Sequence, residues 1–166
     1  MPVKDTSSGP CPIGRAADVL GDRWSLLIMR NAVLGQTRFD QFRNDLGIAD
    51  NILSARLARL IDAGLLTKAP YLDGNRTRQH YVITPAGVAL RPVFEALSEW
   101  ACEFVNPAKP ATMAQTVHTP CGQISQDRRH CATCETDIED GDVAWLLPWL
   151  SPSPLPLATA GPTSAG

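Results

Sequence analysis

Apolar residues fall into a helical period along the first half of the chain. From Ile13 to Leu34 the positions Ala16, Ala17, Leu20, Trp24, Leu27, Ile28 and Val33 recur mostly at spacings of three, four and seven. That pattern predicts one amphipathic helix or two short ones broken near Gly21. Arg38–Leu46 predicts a further short helix with Phe39, Phe42 and Leu46 on one face. Gly47 ends it, because glycine takes a left-handed C-cap without a Cβ clash. The block Ala49–Ala63 carries Leu53, Leu57, Leu60 and Ile61 on one stripe, with Gly64 where the helix should stop.

After Gly64 the period changes. Leu65–Tyr71 and Gln79–Thr84 read as strands, separated by a loop, Leu72–Arg78, that holds Asp, Gly, Asn and Arg. A last long helix is predicted from about Pro85 to Val105, where Leu90, Val93, Phe94, Leu97, Trp100, Ala101 and Phe104 keep helical spacing. The expected organisation is a flexible arm at 1–10 and a domain at 11–106. A linker with a Cys/His-containing extension follows at 107–144, then a Pro/Ser-rich tail at 145–166 expected to be disordered. The fold class is mainly α with a small β-hairpin wing.

Composition changes this picture little. Over 166 residues, 44% hydrophobic and 19% charged residues are ordinary for a globular chain. No apolar run reaches the roughly 18 residues of a membrane span, and no signal peptide is read at the start, so a cytoplasmic protein with no membrane partner is expected. The net charge of −2 argues weakly against nucleic acid, but the distribution matters more. Residues 21–80 hold nine basic side chains (Arg23, Arg30, Arg38, Arg43, Arg56, Arg59, Lys68, Arg76 and Arg78) against six acids (Asp22, Asp40, Asp45, Asp50, Asp62 and Asp73).

Helix, tight glycine turn, helix and then a hairpin with a basic tip is the order of a winged helix-turn-helix, whose second helix enters the major groove. Projected at about 100° per residue around Leu57, the helix 49–63 turns Asn51, Ile52, Ala55, Ala58, Arg59 and Asp62 outward. Asn51 can pair bidentately with adenine, and Ile52 or Ala55 can touch a thymine methyl. Arg56 and Arg59 fall where phosphates would flank the helix, Arg76 and Arg78 lie at the wing tip, and Arg38 opens the preceding helix. The expected partner is double-stranded DNA. A protein-interaction module with the same fold is the alternative, and it would show no salt-dependent DNA affinity.

Several motifs sharpen the reading: Cys11-Pro-Ile-Gly, Gly21-Asp-Arg-Trp-Ser-Leu-Leu-Ile-Met-Arg, Gly35-Gln-Thr-Arg-Phe-Asp-Gln-Phe, Leu53-Ser-Ala-Arg-Leu, Ala63-Gly-Leu-Leu and Tyr81-Val-Ile-Thr-Pro-Ala-Gly. In this order and spacing, over about residues 11–105, the chain resembles the HxlR family of bacterial winged-helix regulators. The resemblance implies a homodimer reading a palindromic operator, and a short regulator with no obvious polymerase-contacting domain is expected to act as a repressor. It places Leu97, Trp100 and Phe104 in the dimer interface, although the same periodicity fits an intrachain core helix. It also matches Cys11 to a cysteine that senses oxidants or electrophiles in some members and not in others, so the residue reads either as the site of an oxidant or small-molecule effector or as a packed, unreactive thiol.

The cysteines offer further chemistry. Cys11 precedes the first helix near Arg15, where a helix N-terminus and a cation both favour thiolate. Cys102 reads as a small core residue. His118-x2-Cys121 and Cys131-x2-Cys134 have the spacing and donor types of tetrahedral zinc, with His130 as an alternative ligand. A second redox pair or an unligated tail fits the same residues, and no cofactor is expected to be required. An enzyme is not expected. Cys131-Ala-Thr-Cys134 lacks the strand and helix of a thioredoxin-like site, and no phosphate loop, nucleophile elbow or catalytic carboxylate pair is found.

Overall fold

In the computed structural model, which describes residues 9–105, 114–127 and 129–161, the first apolar run folds as two helices, α1 (Pro12–Leu20) and α2 (Arg23–Val33). The break has two local causes. A Cβ on Gly21 would lie 2.2 Å from the Ala17 carbonyl oxygen, so only glycine fits where α1 ends. Asp22 then starts α2: its Oδ1 accepts the amides of Trp24 and Ser25 at 3.1 Å each. Helices α3 (Phe39–Leu46) and α4 (Asp50–Asp62) follow, joined by a turn in which Gly47 has φ 60°. Gln41 Oε1 reaches back to the amides of Thr37 and Arg38 at 3.0 and 2.9 Å and fixes the start of α3.

Ile28, Met29, Phe42, Ile48, Leu53, Leu57, Leu60, Leu66 and Ile83 are the buried core side chains of these elements. Each contributes roughly 1.5–3 kcal/mol by burial, so the Leu53, Leu57 and Leu60 stripe decides which face of α4 is left outside. One polar network sits among them. Buried Asn31 donates to Asp45 Oδ2 at 2.6 Å and to Gln36 Oε1 at 3.1 Å, and its Oδ1 accepts Arg30 Nε at 2.9 Å. Burial lowers the Arg30 pKa against the pull of Asp45.

The wing pairs further than its sequence suggests. Strands β1 (Leu66–Asp73) and β2 (Arg76–Ile83) are antiparallel from Leu66↔Ile83 to Asp73↔Arg76, leaving a two-residue turn in place of the expected loop 72–78. Gly74, with φ 60°, supplies the positive φ that such hairpin turns require at their first position. The outer ends of both strands are exposed on both faces, so no buried alternation marked them as strand.

The long final helix is interrupted. A single turn, α5 (Pro85–Val88), precedes α6 (Arg91–Phe104), and Pro92, which has no amide hydrogen, stands in the first turn of α6. The structure divides into two units, and α6 belongs to the second. The first holds the described residues up to Ala32, Gln36–Gly87 and Ala160–Gly161; the second holds Val33–Gly35 and Val88–Thr159. The division between the units thus falls at Gly87 and Val88, whereas the sequence leads to the expectation of a boundary near residue 106. The linker residues 106–113, residues 1–8 of the arm and residues 162–166 of the tail lie outside the described residues.

The second unit contains β3 (Gln115–His118), β4 (Gln123–Ser125), β5 (His130–Cys131), β6 (Thr136–Asp137), β7 (Val143–Leu146) and β8 (Leu155–Pro156). One antiparallel sheet has the order β4-β3-β7-β8, and β5 pairs with β6. Trp145, Leu147 and Leu157 are buried, so residues 145–159 are a folded part of this unit, where the sequence led to the expectation of a disordered tail. Helix α6 is tied to the sheet by Glu95, whose Oε1 accepts Trp145 Nε1 at 2.8 Å and Thr116 Oγ1 at 3.2 Å. Arg91 pairs with Asp140 at 3.1 Å. No helix among the described residues is long and apolar enough to cross a membrane.

Candidate nucleic-acid interface and His/Cys cluster

Asn51, Ile52, Ala55, Ala58, Arg59 and Asp62 are all exposed on α4, opposite the buried leucines, as the projection around Leu57 requires. The wing is braced against the residues before α3: His80 Nδ1 lies 2.8 Å from Thr37 Oγ1, and the Tyr81 amide donates to the Thr37 carbonyl at 2.7 Å. The Tyr71 and His80 rings pack at a tilt of 43°, with centroids 4.0 Å apart. Helix-turn-helix and wing are thus held by contacts that the sequence pattern does not display.

The arginines assigned to phosphates have different situations. Arg56 is half-buried and its Nε lies 3.0 Å from Asp22 Oδ1, which anchors α4 to the start of α2. The guanidinium expected beside a phosphate is therefore already paired within the domain. Arg59 donates to the Asp18 carbonyl at 2.7 Å and so bridges α4 to α1. Arg38 forks onto Asp40, with Nε 3.0 Å from Oδ1, and that hydrogen-bonded guanidinium holds the Asp40 carboxyl down at about 2. Arg78 pairs across the hairpin with Asp73 at 2.8 Å. Arg76 stands exposed at the wing tip.

Asp22 is the residue that sequence reasoning missed. Burial opposes its ionisation, but hydrogen bonds from the Ser25 hydroxyl and amide, the Arg56 charge and the Trp24 amide outweigh it and hold the carboxyl below its ordinary value. The available signal was the Asp-x-x-Ser spacing at the start of a helical period, an N-cap signature.

Cys11 is exposed and caps α1, its sulfur accepting the Gly14 amide at 3.4 Å. Arg15, expected to sit by that thiol, sends its Nε to the Gly9 carbonyl at 2.7 Å. Leu97, Trp100 and Phe104 are 44%, 56% and 60% exposed on α6, and Val93 shares their stripe. Cys102, expected in the core, is only half-buried.

The two Cys/His pairs converge. His118 Nδ1 lies 3.3 Å from Cys121 Sγ and 3.5 Å from Cys134 Sγ, and Cys121 Sγ lies 3.6 Å from Cys131 Sγ. All four ligand atoms fall within 4.8 Å of one another. The Cys134 amide, with help from the Thr133 amide and the neighbouring thiols, draws the Cys131 thiol down to about 6 against its burial. Cys134, hydrogen-bonded to Cys121, desolvated and facing Cys131, is pushed up to about 11. His130, the alternative ligand, turns instead to Asp137 at 3.2 Å.

Residues 19–109 match the family model described as HxlR-like helix-turn-helix. An uncharacterized HTH-type transcriptional regulator of Mycobacterium tuberculosis (strain ATCC 25618 / H37Rv), Rv3095, is 35% identical over 126 residues, 76% of this chain and 78% of the relative. Among solved structures, PA1607, described as a candidate transcription factor, superposes with a TM-score of 0.64 at 33% identity, covering 84% of this chain and 96% of its own. The reduced form of the transcriptional regulator YodB from Bacillus subtilis gives a TM-score of 0.51 at 27% identity, covering 60% of this chain and 98% of its own.

Proposed function

Because the chain belongs to the HxlR-like helix-turn-helix family of DNA-binding transcription regulators, we propose that it acts as a homodimeric repressor whose two α4 helices read a palindromic operator. The observation that carries this reading is the exposed face of α4. Asn51, Ile52 and Ala55 stand outward over a rigid leucine stripe, small enough to enter a groove about 12 Å wide. Asn51 hydrogen-bonds adenine, Ile52 and Ala55 meet thymine methyls, and Arg76 on the wing meets phosphate.

Arg38, Arg59 and Arg78 reach phosphates only by sharing or leaving their internal acceptors, so Arg76 is the wing's main sequence-independent contact. The stripe Val93, Leu97, Trp100 and Phe104 supports the dimer, since an exposed apolar face of this kind is costly in water unless a second copy covers it. Cys11, exposed at the cap of α1, is the thiol through which oxidants or electrophiles act, and the similar regulator YodB is solved in a reduced form. The protein works in the cytoplasm, where its DNA lies, and catalyses no reaction. Its His118, Cys121, Cys131 and Cys134 cluster is a metal-binding element of the architecture and not a cofactor site for DNA binding.

Mobility-shift titration of a fragment carrying the protein's own promoter tests the reading. Arg76→Ala should weaken binding across all sequences and reduce the salt slope by about one counterion. Asn51→Ala should relax base preference at one position per half-site, at roughly 1–3 kcal/mol. Absence of salt-dependent affinity would sink the DNA reading and leave the interaction-module alternative.

A further inference from the structure

We propose that His118 Nδ1 and the sulfurs of Cys121, Cys131 and Cys134 hold one zinc ion in closed tetrahedral coordination, as the structural centre of the second unit. The proposal rests on the reading of this cluster as a metal-binding element and is independent of the DNA-binding reading.

The distances carry it first. Zn–S near 2.3 Å and Zn–N near 2.0–2.1 Å at tetrahedral angles set S···S at about 3.8 Å and N···S at about 3.5 Å. The cluster shows 3.6 Å between Cys121 and Cys131, and 3.3 and 3.5 Å from His118 Nδ1 to Cys121 and Cys134. A disulfide would bring two sulfurs to about 2.05 Å. All five cysteines are free thiols.

The backbone carries it independently. Each pair of ligands closes the same turn: the Gly122 amide donates to the His118 carbonyl, and the Glu135 amide to the Cys131 carbonyl, both at 2.8 Å. In each turn the residue after the second ligand is left-handed, Gly122 with φ 68° and Glu135 with φ 54°. Glu135 is the only non-glycine described residue with positive φ, a conformation that glutamate adopts only where its surroundings impose it. Two such turns, one at the end of β3 and one after β5, present their ligands to a common point.

The local core gives the reason. Between Val117 and Val143, Cys131 is the only buried apolar side chain among the described residues. The β5–β6 ladder has two residue pairs. So little apolar burial and so short a ladder do not order a segment of this length, whereas a bound ion supplies the missing free energy directly. Three thiolates and an imidazole are soft donors that select zinc over magnesium or calcium, and four protein ligands leave no open position for catalysis. On binding, the thiols give up their protons to solvent and His118 binds as the neutral ring.

Full-length protein purified without chelator should carry about one zinc per chain by multi-element mass spectrometry. Cys121→Ser should weaken zinc affinity at least about tenfold. His118→Cys should keep the metal, because a four-cysteine set is as good a zinc site. Cobalt substitution should give thiolate-to-metal charge transfer and the visible bands of a tetrahedral ion. Wild-type zinc affinity in Cys121→Ser, measured by competition with a chelator, would overturn the assignment, as would stoichiometric iron in place of zinc. Metal-free protein with the four-residue cluster reactive or disulfide-linked would overturn the metal reading itself, and operator affinity measured on the same samples reports separately on DNA binding.

Discussion

Asp22 shows how one side chain does work that its type does not announce. It caps α2, accepts the Ser25 hydroxyl at 2.6 Å and anchors Arg56 on the recognition helix. Asp22→Ala should therefore lower stability at neutral pH by roughly 0.5–2 kcal/mol for the lost cap, and more if Arg56 is left half-buried without its partner. The native carboxyl ionises below its ordinary value of 3.8, so the stabilisation is complete above that pH and is lost as pH falls through the lower folded value. Urea titrations of wild type and Asp22→Ala should accordingly converge on acidification. A gap that stays constant down to the lowest pH at which both proteins fold would show that the carboxylate charge contributes nothing. The pairing of Arg56 is not legible in the sequence: its spacing on the helix is that of a flanking arginine, and nothing local reveals a carboxylate 34 positions earlier in the chain.

At the scale of elements, the helices followed their period and the interruptions followed side-chain chemistry. Pro92 splits the predicted final helix, and Gly74 tightens a seven-residue loop into a two-residue turn. Helix α6 then presents Val93, Leu97, Trp100 and Phe104 outward at spacings of four, three and four. If a second copy covers this stripe, Trp100→Glu should cost roughly 2 kcal/mol or more of dimer stability, as truncating an aromatic anchor does. Light scattering after size exclusion should show the variant shifted to monomer at concentrations where the wild type is a dimer, with helical circular dichroism retained. Operator affinity should fall in parallel, because two half-sites about 34–36 Å apart are engaged only by a linked pair of α4 helices. An unchanged mass for Trp100→Glu would remove α6 from the interface.

At the scale of the whole molecule, thiol chemistry is divided between two places, an exposed cap at Cys11 and the His118, Cys121, Cys131 and Cys134 cluster. Diamide takes two electrons and two protons from a pair of thiols to form a disulfide. If the pair is Cys11 with a cysteine of the second copy, subunit geometry changes and operator affinity shifts. A tenfold shift needs only about 1.4 kcal/mol of differential interaction. Treated wild type should lose or gain affinity at least that much and run as a linked dimer on a non-reducing gel, while Cys11→Ser should do neither; equal responses would assign sensing to the other cysteines. What the amino-acid order determined by itself is the succession of helices, turn and wing, the outward face of α4, and the ligand spacing of the two Cys/His pairs. Period, capping and turn residues act over a few positions and are readable in place. Tertiary structure alone decided that Arg56 faces Asp22, that α6 joins the second unit, that residues 145–159 fold into that unit with Trp145 buried, and that His118 and Cys121 meet Cys131 and Cys134. Each of these joins residues far apart in the chain through strands of two to four residues or single buried side chains, too short to leave a periodic trace.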